Sequence, residues 1–188
     1  SIDEFKKFLD KYKIPSICSR MSLDILPYEN PYFFGMGGMR GHKAPAILMN
    51  EADTIFVLGS SFTHAYAGDN YDAYNQDAKV IMINLDNSEG TKPGLKVDLN
   101  INIDLKEFFK IANDNSDFSA SDSSVWLERS KYLHENLQTV TDSLAKNPIN
   151  SYYFVECINK VSKNNHIFVN DAGSSNYICS QALKIKEG

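Results

Sequence analysis

The sequence predicts an α/β fold: a three-layer, Rossmann-like parallel sheet flanked by helices, followed by a second, truncated α/β piece. Three observations carry this. Lys79-Val80-Ile81-Met82-Ile83-Asn84-Leu85-Asp86 is an almost continuous apolar run, as expected of a parallel strand covered on both faces. Residues 54–59 are apolar and run into Gly59-Ser60-Ser61, and small residues at a strand's carboxyl end leave the crevice typical of open α/β sheets. Strand and helix patterns alternate, which calls for right-handed crossovers.

The elements follow in order. Ile2, Phe5, Leu9 and Tyr12 recur at helical spacing, so residues 2–12 are a helix. Residues 14–18 form a short buried strand. Residues 23–34, rich in Pro and Tyr, have no periodicity and read as a loop. Pro45 suits the first turn of a helix that runs through Asn50. Strands are expected at 54–59, 79–86 and, more weakly, 95–99. Residues 66–77 are polar and read as a loop. Asp104, with Glu107 three residues on, caps a helix over 105–112. Residues 113–124 have the Asn, Asp and Ser composition of a linker. An amphipathic helix over about 125–144 then places Trp126, Leu133, Leu137, Val140 and Leu144 on one face, and Pro148 stops it. A helix over 151–162, a strand over 166–170, a tight loop over 171–176 and a helix from Tyr177 complete the chain. The domains are therefore expected at 1–112 and 125–188, and the second is too small to close a core.

Composition excludes several classes. The 188 residues carry 43% apolar and 12% aromatic side chains, enough for a packed core. The net charge is −5, so no basic field invites nucleic acid or an anionic membrane. No apolar run is long enough for a transmembrane helix. Cys18, Cys157 and Cys179 are odd in number and widely spaced, which reads as reduced thiols in a cytoplasmic protein.

The densest motif is Gly35-Met36-Gly37-Gly38-Met39-Arg40-Gly41-His42. Its glycines admit close backbone approach, and with Gly59, Ser60 and Asp86 they outline a crevice at the carboxyl ends of the strands. Gly35, Gly38, Gly41, Gly59, Ser60 and Asp86 are its candidate lining. A nucleotide could lie there, or the glycines could serve a tight turn alone. His42, His64, His134 and His166 show no metal or triad spacing. His134 reads as part of a solvated helix face, and His64 lies just past the crevice. Cys18 and Cys157 read as inert small hydrophobes.

The order Gly-Met-x-Gly-Met-x-Gly, then Glu51-Ala52-Asp53 leading into Leu58-Gly59-Ser60-x-Phe62, then a strand ending Ile83-Asn84-Leu85-Asp86, resembles the central domain of thiamine diphosphate-dependent enzymes. The acetolactate synthase large-subunit group is the nearest likeness. Trp126, Pro148-Ile149-Asn150 and Ile167-Phe168-Val169-Asn170-Asp171-Ala172-Gly173 resemble the start of the same family's diphosphate-binding domain. The resemblance implies a slice of a three-domain enzyme that uses thiamine diphosphate and magnesium on a 2-oxo acid and assembles as a homodimer or homotetramer. The family's activating glutamate and its Gly-Asp-Gly…Asn metal motif are not matched, and Gly68-Asp69-Asn70 reads as a turn. No catalytic residue and no metal ligand is therefore assigned, and the chain alone is expected to be inactive.

By position the resemblance places Ala172, Gly173, Ser174 and Ser175 against the cofactor diphosphate. A helix N-terminus after a glycine turn is suited to an anion. Where the family commonly has Gln-His, this chain has Ser174-Ser175, which keeps hydroxyl donors but no imidazole. The same loop could be a plain strand-to-helix turn. The flavin-binding members carry arginines where Ser61 and Ala65 stand, and Asn84 replaces an acidic residue, so FAD is not expected. Two other readings remain at this stage: an adenine-nucleotide or flavin-binding module, and a spacer domain that only pairs catalytic ones.

Overall fold

The computed structural model describes residues 2–63, 66, 77–116, 123–146 and 150–186. Helix α1 spans Ile2–Tyr12, strand β1 Ser16–Cys18 and strand β2 Phe33–Met36. Helix α2 spans Lys43–Glu51, β3 Thr54–Leu58, β4 Lys79–Asn84 and β5 Leu99–Asn102. Four helices follow: α3 at Leu105–Asp114, α4 at Ser124–Asn136, α5 at Ser151–Val161 and α6 at Ser174–Ala182.

All strand pairings among the described residues are parallel. β4 is central, its Met82 opposite Val57 of β3 and its Ile83 opposite Ile101 of β5. β1 and β2 pair separately, with Ser16 opposite Phe33 and Cys18 opposite Met36. The expected single sheet is thus two ladders, of two and three strands. Central β4 explains its apolar run: Val80, Met82 and Ile83 are all buried, so both faces lie against neighbours.

Three apolar clusters hold the layers. Phe5, Phe8, Tyr12, Phe108 and Phe109 join α1 to α3, with the Phe8 and Phe109 ring centroids 5.4 Å apart. Val57, Val80, Met82, Met49 and Phe62 fill the space between β3–β4 and α2. Phe34, Ala44, Leu48 and Leu133 pack α4 onto α2 and β2. Two helix starts carry side-chain caps. Asp104 accepts from the Lys106 N–H at 2.7 Å, and Asn150 accepts from the N–H groups of Tyr152 and Tyr153. Lys11 donates to the carbonyls of Ala112, Asn113 and Asn115, placing a cation where the α3 dipole is negative.

Several expected elements differ. β2 lies in the stretch read as the end of a loop, because Pro27, Tyr28 and Pro31 around it hide a four-residue buried strand. β5 forms four residues later than expected. Leu95 and Val97 pack sideways onto the second cluster, whereas Asn100 and Asn102 bind the preceding turn through their amides. The helix over 125–144 ends at Asn136, and residues 142–146 form a separate 3-10 turn. Residues 166–170 do not form a strand: they are irregular and exposed, with Ile167 and Val169 each more than 90% accessible. A lone extended segment has no ladder to join. The α6 helix starts at Ser174, three residues before the expected Tyr177. The loop over 66–77 falls almost wholly outside the described residues, with His64, Ala65 and Gly68-Asp69-Asn70; Pro148 and half of the 113–124 linker, residues 117–122, also lie outside them. No described helix is long and apolar enough to cross a membrane.

Candidate functional site

β1 and β2 are parallel, so the segments leaving them emerge at one edge. The Gly37 N–H donates to the Cys18 carbonyl at 3.0 Å, and residues 37–42 then fold back, with the His42 N–H donating to the Met36 carbonyl at 2.8 Å. A Cβ at Gly41 would collide with the Met36 carbonyl oxygen, and one at Gly35 would sit 2.8 Å from His42 Nδ1. These glycines therefore admit the chain's own groups. Gly38 lies at the top of the turn with positive φ.

The other half of the expected crevice lies at the ends of β3 and β4. The Gly59 N–H donates to the Ile83 carbonyl at 2.9 Å. The Ser60 carbonyl accepts from the Asn84 amide, and the Ser60 hydroxyl accepts from the Phe62 N–H. Asp86 accepts from both the N–H and the hydroxyl of Ser88. These bonds, with the hydroxyl first, hold its carboxyl below the usual range. Ser61 donates to Glu89 at 3.1 Å, and Lys92 binds both Glu89 and the Ser61 carbonyl. Tyr66 closes the gap between the halves. Its hydroxyl stands 2.5 Å from where a Gly37 Cβ would be, and its ring packs 5.5 Å from that of Phe62.

His42 is the side chain that sequence reasoning passed over. The Met36 N–H donates to His42 Nδ1 at 2.9 Å, so Nε2 carries the proton and donates to the Gln181 carbonyl at 2.7 Å. Burial holds its imidazole below the usual range. Its only sequence signal is position, directly after the glycine turn and before α2. His134 is not on a solvated face. It packs edge-on to Phe34, 5.9 Å between centroids, and burial lowers its basicity too. Burial pushes the Cys18 thiol up to about 12, which makes it inert toward electrophiles.

The 171–176 loop is open. Gly173 has φ +107° and ψ −158° and precedes α6 without a capping side chain, and a Cβ there would meet no protein atom within 4 Å. The Ala172 N–H donates to the Asp171 carboxylate at 2.6 Å, and the Ser175 hydroxyl donates to the Asp171 carbonyl. Ala172, Gly173, Ser174 and Ser175 are all exposed.

The family described as thiamine pyrophosphate enzyme, central domain, matches residues 1–111. Among relatives, the acetolactate synthase large subunit of Lactococcus lactis is 36% identical over 106 residues, 56% of this chain and 18% of the relative. The acetolactate synthase large subunit of Cyanidium caldarium is 26% identical over 100% of this chain and 32% of the relative. The probable acetolactate synthase large subunit of Methanocaldococcus jannaschii is 26% identical over 98% of this chain and 32% of its own length. This chain thus spans about a third or less of the relatives it matches. The match over residues 1–111 and the parallel α/β architecture together show that the chain belongs to the thiamine pyrophosphate enzymes and carries their central domain.

Proposed function

We propose that this chain is part of an acetolactate synthase-like enzyme that uses thiamine diphosphate to make or break the carbon–carbon bond beside a 2-oxo acid carbonyl. The observation that carries this is the cradle at Gly173. The group fits there: a side chain at 173 would project into open space at a helix start whose first N–H groups have no side-chain cap. Ala172 and Gly173 would let the diphosphate approach the backbone, Ser174 would donate through N–H and hydroxyl, and Ser175 would donate through its N–H, its hydroxyl being given to the Asp171 carbonyl. Thiamine diphosphate, when bound, supplies the carbon nucleophile and the electron sink. This chain's residues bind and orient; none is assigned a proton transfer. Magnesium would accompany the diphosphate, and among the described residues no three His, Cys, Asp or Glu side chains cluster to hold a metal.

The crevice of Gly35, Gly38, Gly41, Gly59, Ser60 and Asp86 is structural in this reading. Tyr66 and the Ser61–Glu89–Lys92 group take up its space, and a flavin's phosphates would meet Glu89 where they need a guanidinium. The assembly is a homodimer or homotetramer and its site is the cytoplasm. The test is pyruvate consumption by the enzyme that contains this chain, with and without thiamine diphosphate and magnesium. Cofactor-dependent formation of acetolactate supports the reading, and cofactor-independent turnover or none contradicts it.

A further inference from the structure

Gln181, in the last turn of α6, joins three elements. Its side-chain Nε2 donates to the Arg40 carbonyl of the glycine turn at 2.8 Å. Its Oε1 accepts from the Tyr152 hydroxyl of α5 at 2.6 Å. Its backbone carbonyl accepts from His42 Nε2 at 2.7 Å. A side-chain amide carries a donor and an acceptor at one end, so it can bridge a carbonyl on one side to a hydroxyl on the other. An apolar side chain of the same length makes neither bond.

The α6 face that carries Gln181 is the face laid on the glycine turn. Tyr177 is one turn earlier on that face, and its ring centroid lies 4.6 and 4.2 Å from the guanidinium carbons of Arg20 and Arg40. Ser174 lies seven residues before Gln181. At about 100° per residue, seven residues fall only about 20° short of two full turns. Ser174 and Gln181 therefore point the same way from opposite ends of the helix, about 10 Å apart along its axis. A roll of α6 about that axis turns both together.

The end of α6 is anchored independently. The buried Asn159 of α5 donates through Nδ2 to the Ala182 carbonyl at 2.8 Å and accepts through Oδ1 from the Lys184 N–H at 2.9 Å. Those bonds hold backbone close to the helix axis. The Gln181 side chain reaches outward from the axis, so its two bonds act on rotation.

We infer that Gln181 is a positioning residue for the cofactor diphosphate: its bonds to Arg40 and Tyr152 set the roll of α6 and so aim Ser174 at the phosphate oxygens. Gln181 touches no cofactor itself and acts through Ser174. The inference rests on the reading of Gly173 as the diphosphate cradle.

The test is calorimetric titration of the enzyme that contains this chain with thiamine diphosphate, magnesium held in excess, which reads affinity apart from turnover. Gln181→Met keeps the side chain's length and removes both of its bonds, while the His42 bond to the backbone carbonyl remains. Its dissociation constant is expected to rise at least about fivefold. Tyr152→Phe removes one of the two bonds with little risk to folding, and a rise of about twofold is expected there. Circular dichroism checks that each variant is folded. The pairing with Ser174→Ala separates positioning from a general loosening: the double variant should bind no more than about twofold weaker than Gln181→Met alone. Losses that multiply in the double variant overturn the inference, as does wild-type affinity in folded Gln181→Met or in Tyr152→Phe. Weakened binding in Gly173→Val with none in Gln181→Met removes the role of Gln181 alone. Unchanged binding in Gly173→Val removes the cradle, and this inference with it.

Discussion

His42 Nε2 lies 2.7 Å from the carbonyl oxygen of Gln181, 139 residues further along the chain. The same imidazole accepts the Met36 N–H through Nδ1. One neutral ring therefore ties the glycine turn to α6, and a second proton would leave Met36 facing N–H with N–H. Gly35 makes room for it, since any Cβ there would press on the ring.

The first prediction follows from that ring. Burial keeps His42 less basic folded than unfolded. The unfolded chain takes up the proton first, at about pH 6.5, so stability falls as pH drops below that value. His134 acts in the same direction. His42→Gln can copy both hydrogen bonds without titrating, and should reduce the acid sensitivity measured by urea unfolding at pH about 7.5 and 5.5. His42→Ala strands Met36 N–H and the Gln181 carbonyl, and should cost about 1–3 kcal/mol per group left unpaired. An acid response identical in wild type and His42→Gln contradicts the clamp.

The sequence carried the layers further than the joints between them. β3, β4, α1 and α3 announce themselves because their apolar patterning decides burial, and α2 does so through Pro45 in its first turn. β2 does not, because Phe33-Phe34-Gly35-Met36 is too short for a period and sits among turn formers. The segment 166–170 looks apolar enough for a strand, yet pairing is a property of two strands and it has one. His42 escaped because the α6 carbonyl it binds, that of Gln181, lies 139 residues away. The order of the glycine turn, the Leu58-Gly59 strand end and the Asn84–Asp86 strand end, by contrast, was enough to indicate the family.

The second prediction concerns the α1–α3 layer. Phe109 is buried against Phe5, Phe8 and Phe108. Phe109→Ala should destabilise by about 3–5 kcal/mol in chemical unfolding. A loss below about 1 kcal/mol would mean that the two helices do not share this core.

The third concerns the glycine turn. Gly41→Ala drives a methyl into the Met36 carbonyl and the Gly37 backbone, and backbone there cannot move aside cheaply. A loss of about 1–3 kcal/mol is expected, and wild-type stability would show that the turn is looser than described.

The fourth concerns flavin. Ser61, Glu89 and Lys92 bond to one another at the ends of β3 and β4. The enzyme should purify colourless and take up no stoichiometric flavin on titration. A bound flavin absorbance band would return the crevice to a ligand role.

The cradle at Gly173 carries the central claim, and the concentration dependence of activity on thiamine diphosphate tests it most directly. Gly173 occupies a φ, ψ region that is nearly exclusive to glycine, so Gly173→Val also strains the backbone, and circular dichroism of the 188-residue chain must show α6 intact. Ser174→Ala is the milder variant, because its N–H remains and one hydroxyl bond is worth only about 0.5–1.5 kcal/mol. In the enzyme that contains this chain, a branched side chain at 173 should fill the place of the diphosphate and raise the half-saturating cofactor concentration at least about tenfold, or about 1.4 kcal/mol. An unchanged cofactor dependence in a folded Gly173→Val enzyme would make the loop a plain turn and contradict the account.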